Sequence, residues 1–163
     1  MNPNDVSNVG LSNNNLIVTS IASGWQGVRS NLPINNIGKD KIYLEIEVES
    51  CNNNNSMICL INKSQSLTDY NAPNRYWSDG TSYGKKWNIG DVISVLYDNT
   101  LDNGTLVFWN NGEPQGVRSK NLNEQDLYLA FLVFKSSTAE QILTVNFGKG
   151  NFKYKIPNGY DSL

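Results

Sequence analysis

What most limits the fold of this chain is an alternation of period two that recurs from end to end. No apolar stripe of helical period runs beside it over a window of about eleven residues or more. The clearest run is Ile42-Tyr43-Leu44-Glu45-Ile46-Glu47-Val48-Glu49, where even positions are aliphatic and odd positions mostly acidic. Successive side chains of a strand point to opposite faces, so this run predicts one buried and one wet face. Leu143, Val145 and Phe147 alternate with Thr144 and Asn146 in the same way. Leu106-Val107-Phe108-Trp109 is apolar on both sides and predicts a strand covered on both faces. Strands are predicted over residues 16–21, 42–50, 57–61, 92–98, 105–110, 127–134, 141–147 and 152–155. Clusters of Asn, Gly, Ser and Asp separate them at the spacing of an all-β, two-sheet antiparallel sandwich.

The turns are readable as well. Asp102-Asn103-Gly104 and Asn110-Asn111-Gly112 each set Asn-Gly between apolar runs, a hairpin signal because both residues tolerate positive φ. Asn52, Asn53, Asn54 and Asn55 read as the polar tip of a hairpin joining residues 42–50 to 57–61. In that register Cys51 faces Ser56 and Val48 faces Cys59. The two cysteines are then out of register for a bridge, too few for a disulfide framework, and Cys59 reads as a buried apolar thiol. Residues 26–32 (QGVRSNL) and 115–122 (QGVRSKNL) nearly repeat, which over so short a stretch reads as two similar strand starts rather than a duplication.

Composition excludes several functions. A chain of 163 residues is one domain's worth, residues 1–163, and buries a core without a metal or disulfide scaffold. A net charge of −2 and a pI near 5.1 leave no basic face for nucleic acid or an anionic membrane. There is no histidine, which removes Ser-His and Cys-His nucleophile pairs and His-based metal sites. No apolar run is long enough to predict membrane insertion, and the N-terminus lacks the basic and apolar regions of a signal peptide. Asparagine supplies about one residue in six while charged residues make up 17%, which predicts a surface of neutral amides.

From Gly38 onward the motifs fall into a known order. Gly38-Lys39-Asp40-Lys41-Ile42-Tyr43-Leu44-Glu45 is followed by Tyr76-Trp77-Ser78-Asp79-Gly80 and by Trp87-Asn88-Ile89-Gly90-Asp91-Val92-Ile93. Then come Asp98, Asn103-Gly104-Thr105-Leu106-Val107-Phe108-Trp109-Asn110-Asn111-Gly112 and Gly116-Val117. The series closes with Leu127-Tyr128-Leu129-Ala130, where Leu129 departs from the usual proline, then Val145-Asn146-Phe147-Gly148, Phe152-Lys153-Tyr154 and Gly159-Tyr160. Taken together these resemble the SPRY domain family over about residues 24–160, with residues 1–23 as a lead-in. Asn2-Pro3-Asn4-Asp5, Leu11-Ser12-Asn13-Asn14-Asn15-Leu16 and Gly27-Val28-Arg29-Ser30 are similar to the opening of the bacterial and bacteriophage branch.

The resemblance implies a bent, concanavalin-like jelly-roll sandwich that is not catalytic, needs no cofactor, and binds partners through loops at one rim. Loops at matching positions are residues 23–30, 63–74 and 134–140. Arg29, Tyr70, Phe134 and Lys135 fall there, and Arg75 and Trp77, just beyond residue 74, complete the expected rim. Aromatic rings give contact area at low entropic cost and amides give paired donors and acceptors, a mixture suited to sugar or peptide. The expected function is a recognition module for a host-surface glycan or protein. Its setting would be a phage-tail, prophage or bacterial surface protein whose repeated copies add avidity. The alternative is an intracellular adaptor that reads a short peptide with the same rim.

Other constellations point elsewhere. Glu45, Glu47 and Glu49 share one strand face, as do the carboxylates of family 16 glycoside hydrolases, in which two carboxyl groups act as nucleophile and acid. The plainer expectation is a solvated face softened by Lys39, Lys41 or Lys63. Asp98, Asp102 and Asn103 offer oxygens of the kind calcium takes but match no calcium loop, and read as turn formers. Asn54, Asn62 and Asn103 head Asn-x-Ser/Thr sequons, and Gly80-Thr81-Ser82-Tyr83-Gly84-Lys85-Lys86 is a glycine-rich loop without a phosphate-binding pattern.

Overall fold

The computed structural model describes residues 1–51, 55–136 and 140–163. Among them run β1 (Val6–Ser7), β2 (Val9–Ser12), β3 (Ile17–Ser20), β4 (Gly24–Pro33), β5 (Lys41–Cys51), β6 (Ser56–Ile61) and β7 (Tyr76–Trp77). They are followed by β8 (Val92–Asp98), β9 (Thr105–Asn110), β10 (Glu113–Ser119), β11 (Tyr128–Lys135), β12 (Gln141–Asn146) and β13 (Asp161–Ser162). A single turn of 3₁₀ helix at Ile34–Asn36 follows β4. One sheet has the order β1-β4-β11-β6-β7 and the other β10-β9-β8-β5-β12-β3-β2. All these pairs are antiparallel, and β13 adds to β5 in parallel. The all-β sandwich is therefore the observed fold.

Alternation builds the layer between the sheets. Ile42, Leu44, Ile46 and Val48 of β5 point inward with Ile93, Val95 and Tyr97 of β8, Leu106 and Phe108 of β9, and Leu143 and Val145 of β12. They meet Val28 of β4, Ile58 and Leu60 of β6, and Leu129, Phe131 and Val133 of β11. Burying a side chain of this size stabilises by about 1.5–3 kcal/mol each, before conformational entropy is subtracted. In β9 only one face is fully buried: Val107 and Trp109 on the other are half-buried. The β9–β10 hairpin is as expected, with Asn111 and Gly112 at φ 52° and 77° between the paired Asn110 and Glu113.

Four further sequence-based expectations change. β5 and β6 do not form a hairpin. They lie in different sheets, with Val48 beside Leu143 and Cys59 beside Ala130. Each strand has an inner face of its own, and the two faces must oppose one another across the core to be buried. The expected tip at residues 52–54, with the Asn54 sequon, lies outside the described residues. Residues 23–30 are not a loop, since most of them belong to β4, which lies between β1 and β11. Its inward polar side chains are buried because each is bonded: Gln26 Oε1 accepts from the Ile21 and Ala22 amides at 2.9 and 3.1 Å, and Ser30 Oγ accepts from the Leu129 amide at 3.2 Å.

Residues 152–155 form no strand. They lie as an irregular segment over the outer face of β5, where Phe152 meets Tyr43 edge-on at 5.0 Å. That cover also corrects the expected wet face. Tyr43 and Glu45 are buried, and Lys153, rather than Lys39, Lys41 or Lys63, pairs with Glu47 at 2.7 Å.

Residues 1–23 are structural. They supply β1, β2 and β3, and Met1, Val9 and Val18 enter the core.

Candidate functional site

The outer face of the five-stranded sheet carries a second, smaller core. Met57, Cys59 and Ile61 of β6 stand beside Ala130 and Leu132 of β11, covered by Leu67 and Ala72 from the segment between β6 and β7. The cover lies directly on β4: a Cβ at Gly27 would stand 2.9 Å from the Leu67 carbonyl oxygen and 3.1 Å from that of Phe131. Only glycine fits under it.

Around this small core the rings gather. Trp25 of β4 meets Trp77 of β7 edge-on at 5.7 Å and Phe134 of β11 at 5.6 Å, and Tyr70 stands 6.5 Å from Trp77. The Arg75 guanidinium lies 5.6 Å from the Trp77 ring centroid. Trp25, Trp77 and Phe134 are half-buried and rest on strands, whereas Tyr70 is 50% exposed. The result is a ring-lined surface held by a rigid sheet, with a cation at its edge.

Of the residues expected from sequence, Tyr70, Arg75, Trp77 and Phe134 come together here. Lys135 follows Phe134 at the end of β11, where its ammonium pairs with Glu140 at 3.3 Å and reaches the Ile21 carbonyl at 3.5 Å. Arg29 stands apart. It is 5% exposed, pairs with Asp5 at 2.8 Å and donates to the Gln65 carbonyl, so it binds the N-terminal segment and the 62–75 segment to β4. Of the loop at residues 134–140, residues 137–139 lie outside the described residues. Trp25 was missed. Its signal was the alternation Trp25, Gly27, Arg29 on one face of β4, hidden because the opposite face, Gln26, Val28 and Ser30, is largely polar.

The other constellations have local duties. Glu45 Oε1 accepts from the Tyr43 hydroxyl at 2.8 Å and the Tyr154 amide at 2.9 Å, and Oε2 accepts from the Lys153 amide at 2.8 Å. Burial, then the neighbouring Glu45 carboxylate, pushes the Tyr43 hydroxyl up despite its bond with Ser94, so it stays a donor. Glu49 accepts from the Thr144 hydroxyl, and Glu47 holds Lys153. Glu45 and Glu47 thus share Lys153, through its amide and its ammonium, and Glu49 is tied to Thr144, so the row holds the C-terminal segment and β12 against β5. Asp98 pairs with Lys41 at 2.9 Å and Asp102 with Lys120 at 2.7 Å. Between the sheets a cleft of about 460 Å³ is lined by Leu16, Leu32, Ile34, Leu129, Val145 and Phe147, with Met1 and Leu163 also in its wall. None of the six expected residues lines it.

Two antiparallel sheets packed face to face around one core place the chain in the class of β-sandwich domains. The pattern of the SPRY domain matches residues 38–150, and the chain belongs to that family, whose domains are in general non-catalytic modules that bind proteins. The chain is 30% identical over 150 residues to the ATP-dependent RNA helicase Ddx1 of Drosophila melanogaster, which is 83% of this chain and 19% of that protein. It thus spans about a fifth of that relative's length. A human SPRY domain superposes with a TM-score of 0.70 at 12% identity, covering 90% of this chain and 99% of its own. The SPRY domain of human HERC1 gives 0.69 at 12% identity, covering 92% and 99%. At that identity the two structures speak to the fold.

Proposed function

We propose that residues 1–163 act as one non-catalytic recognition unit that docks a protein segment on the surface formed by Trp25, Tyr70, Arg75, Trp77 and Phe134. The observation that carries this reading is the ring cluster itself. Rings half-buried on strands lose little conformational freedom on binding, so contact made there is retained as affinity. Two settings suit such a module. The lead-in motif of residues 2–5 and 11–16 and the amide-rich surface support a bacteriophage-tail or bacterial surface protein that docks on a host, where the ligand is a protein or a glycan. The likeness to a stretch of a much longer helicase supports an adaptor domain within a larger chain, docking an intracellular peptide.

One experiment separates these readings and tests the surface. The protein is screened in parallel on a glycan array and against a phage-displayed peptide library, together with Tyr70→Ala. Peptide ligands whose binding falls about tenfold or more in Tyr70→Ala are expected, the loss typical of one central aromatic anchor. Glycan ligands lost in the same variant would move the reading to the host-surface setting. Binding unchanged by the variant would place the site elsewhere.

A further inference from the structure

Three arginines occur in the sequence. Arg29 has its carboxylate in Asp5. Arg75 and Arg118 make no ion pair among the described residues, although the chain carries a net negative charge.

The two are neighbours. Arg118 Nε donates to the Arg75 carbonyl at 2.7 Å, and Ser119 Oγ donates to Asn74 Oδ1 at 2.7 Å, which fastens the end of β10 to the segment before β7. Arg75 Nη1 donates to the Ala72 carbonyl at 2.9 Å. Each guanidinium also lies against a ring, Arg75 at 5.6 Å from Trp77 and Arg118 at 5.7 Å from Tyr83. Tyr83 is itself fixed, donating to the Gly116 carbonyl at 2.6 Å and accepting from the Phe108 amide at 3.2 Å. Burial and then the charge of Arg75 draw the Arg118 guanidinium below its ordinary value.

Arg118 feels the charge of Arg75 from the adjoining segment, so these two half-buried like charges are unfavourable alone, and an anion bound by both offsets the repulsion. The carboxylates nearest along the chain are engaged elsewhere. Asp69 accepts from the Asn71 amide at 2.8 Å, Asp79 accepts from the Thr81 amide at 2.7 Å, and Glu113 holds Lys85. Among the described residues one N–H of each guanidinium is bonded, to Ala72 and to Arg75, which leaves most of two planar forks to match a carboxylate.

We propose that Arg75 and Arg118 form the seat of a partner carboxylate, so that the docked segment is an acidic peptide. Its Asp or Glu would be held between the two arginines while a neighbouring apolar residue rests on the Trp25–Trp77–Tyr70 rings. This deepens the docking reading and rests on it.

The test selects phage-displayed random peptides on the intact chain, then synthesises the best binder with its acidic residue kept, changed to Ala, or changed to phosphoserine. A shared acidic position is expected. Its change to Ala should weaken binding to the wild type about tenfold or more and leave binding to Arg118→Gln nearly unchanged, the signature of a direct pair. Circular-dichroism melting checks that the variant folds. If it does not, Arg118→Lys, which keeps the charge and loses the fork, carries the test with a partial loss. Selected peptides without an acidic position, equal losses in wild type and variant, or binding of the phosphoserine peptide alone would overturn the carboxylate seat. The docking surface would still stand if Tyr70→Ala abolished that binding. Absence of any binder, or binding indifferent to Tyr70→Ala, would remove the docking surface and the seat with it.

Discussion

Glu45 accepts hydrogen bonds from a hydroxyl two residues away and from two backbone amides more than a hundred residues along the chain. A carboxylate is suited to this because both oxygens only accept, and the amides of Lys153 and Tyr154 need acceptors once Phe152 excludes water from this face. Glu45→Gln turns one oxygen into an NH₂ group that meets an N–H donor. Its expected cost is about 1–3 kcal/mol, the penalty for a buried group left unsatisfied. Chemical denaturation should show the lower midpoint, and amide exchange should show Lys153 and Tyr154 losing protection while β8 and β9 keep theirs. A variant as stable as the wild type would mean that Phe152, the Lys153–Glu47 pair and β13 hold the C-terminal segment without Glu45.

Among elements, β4 is held by groups that lie outside the strands, Asp5 and Gln65. Asp5 is the hinge of that dependence: Arg29 and Lys63 both bind it, and the Arg29 amide donates to its carbonyl at 3.2 Å. Burial pulls the Asp5 carboxyl upward, but its hydrogen bonds and charge contacts with Lys63 and Arg29 outweigh that and hold it below its ordinary 3.8. A carboxyl depressed in the folded state adds stability that is complete above its unfolded value and lost as the pH falls through its folded one. Asp5→Asn is therefore expected to be less stable than wild type at neutral pH, by about 1.5–3 kcal/mol for hydrogen bonds to a charged group. The gap should close as the pH falls below 3.8. Urea titrations of both proteins at neutral and acid pH measure it. Asp98, held low in the same direction, is common to both proteins and cancels from the difference.

At the scale of the molecule the two thiols report on the two cores. Cys51 joins the layer between the sheets, and Cys59 the smaller core outside the five-stranded sheet. Burial pushes the Cys59 thiol up to about 12 and raises that of Cys51. A thiol that stays protonated and covered is inert. Neither cysteine should react with a disulfide reagent in the native protein at mildly alkaline pH, both should react in concentrated guanidinium, and added reductant should leave the melting temperature unchanged. Rapid native labelling of Cys59 would mean that the segment over β6 opens on its own.

The strands β5, β8, β9, β11 and β12 were legible because their buried faces are made of apolar side chains at alternate positions. β4 was not, since Gln26, Arg29 and Ser30 are buried through hydrogen bonds and an ion pair whose partners lie in other segments. Asparagine was legible in kind: among the described residues, eight of the ten non-glycine positions with positive φ are asparagine, which serves the turns its abundance foretold. Tyr70 and Phe134 could be named from family likeness and Arg75 and Trp77 from their place beside that rim, but Trp25 and Arg118 could not. Nothing local brings residue 25 to residue 77, or residue 118 to residue 75.

The amino-acid sequence by itself determined an all-β sandwich, its two Asn-Gly hairpin turns and its family, because period-two burial and positive-φ asparagines act over a few neighbouring residues. Only the tertiary structure decided that β5 and β6 part into different sheets, that the glutamate row is spoken for, and that four rings gather beside Arg75 with Arg118 bonded to its carbonyl. Those outcomes depend on which distant segment covers which sheet face, and that choice is set by the closing of the whole core rather than by any local pattern.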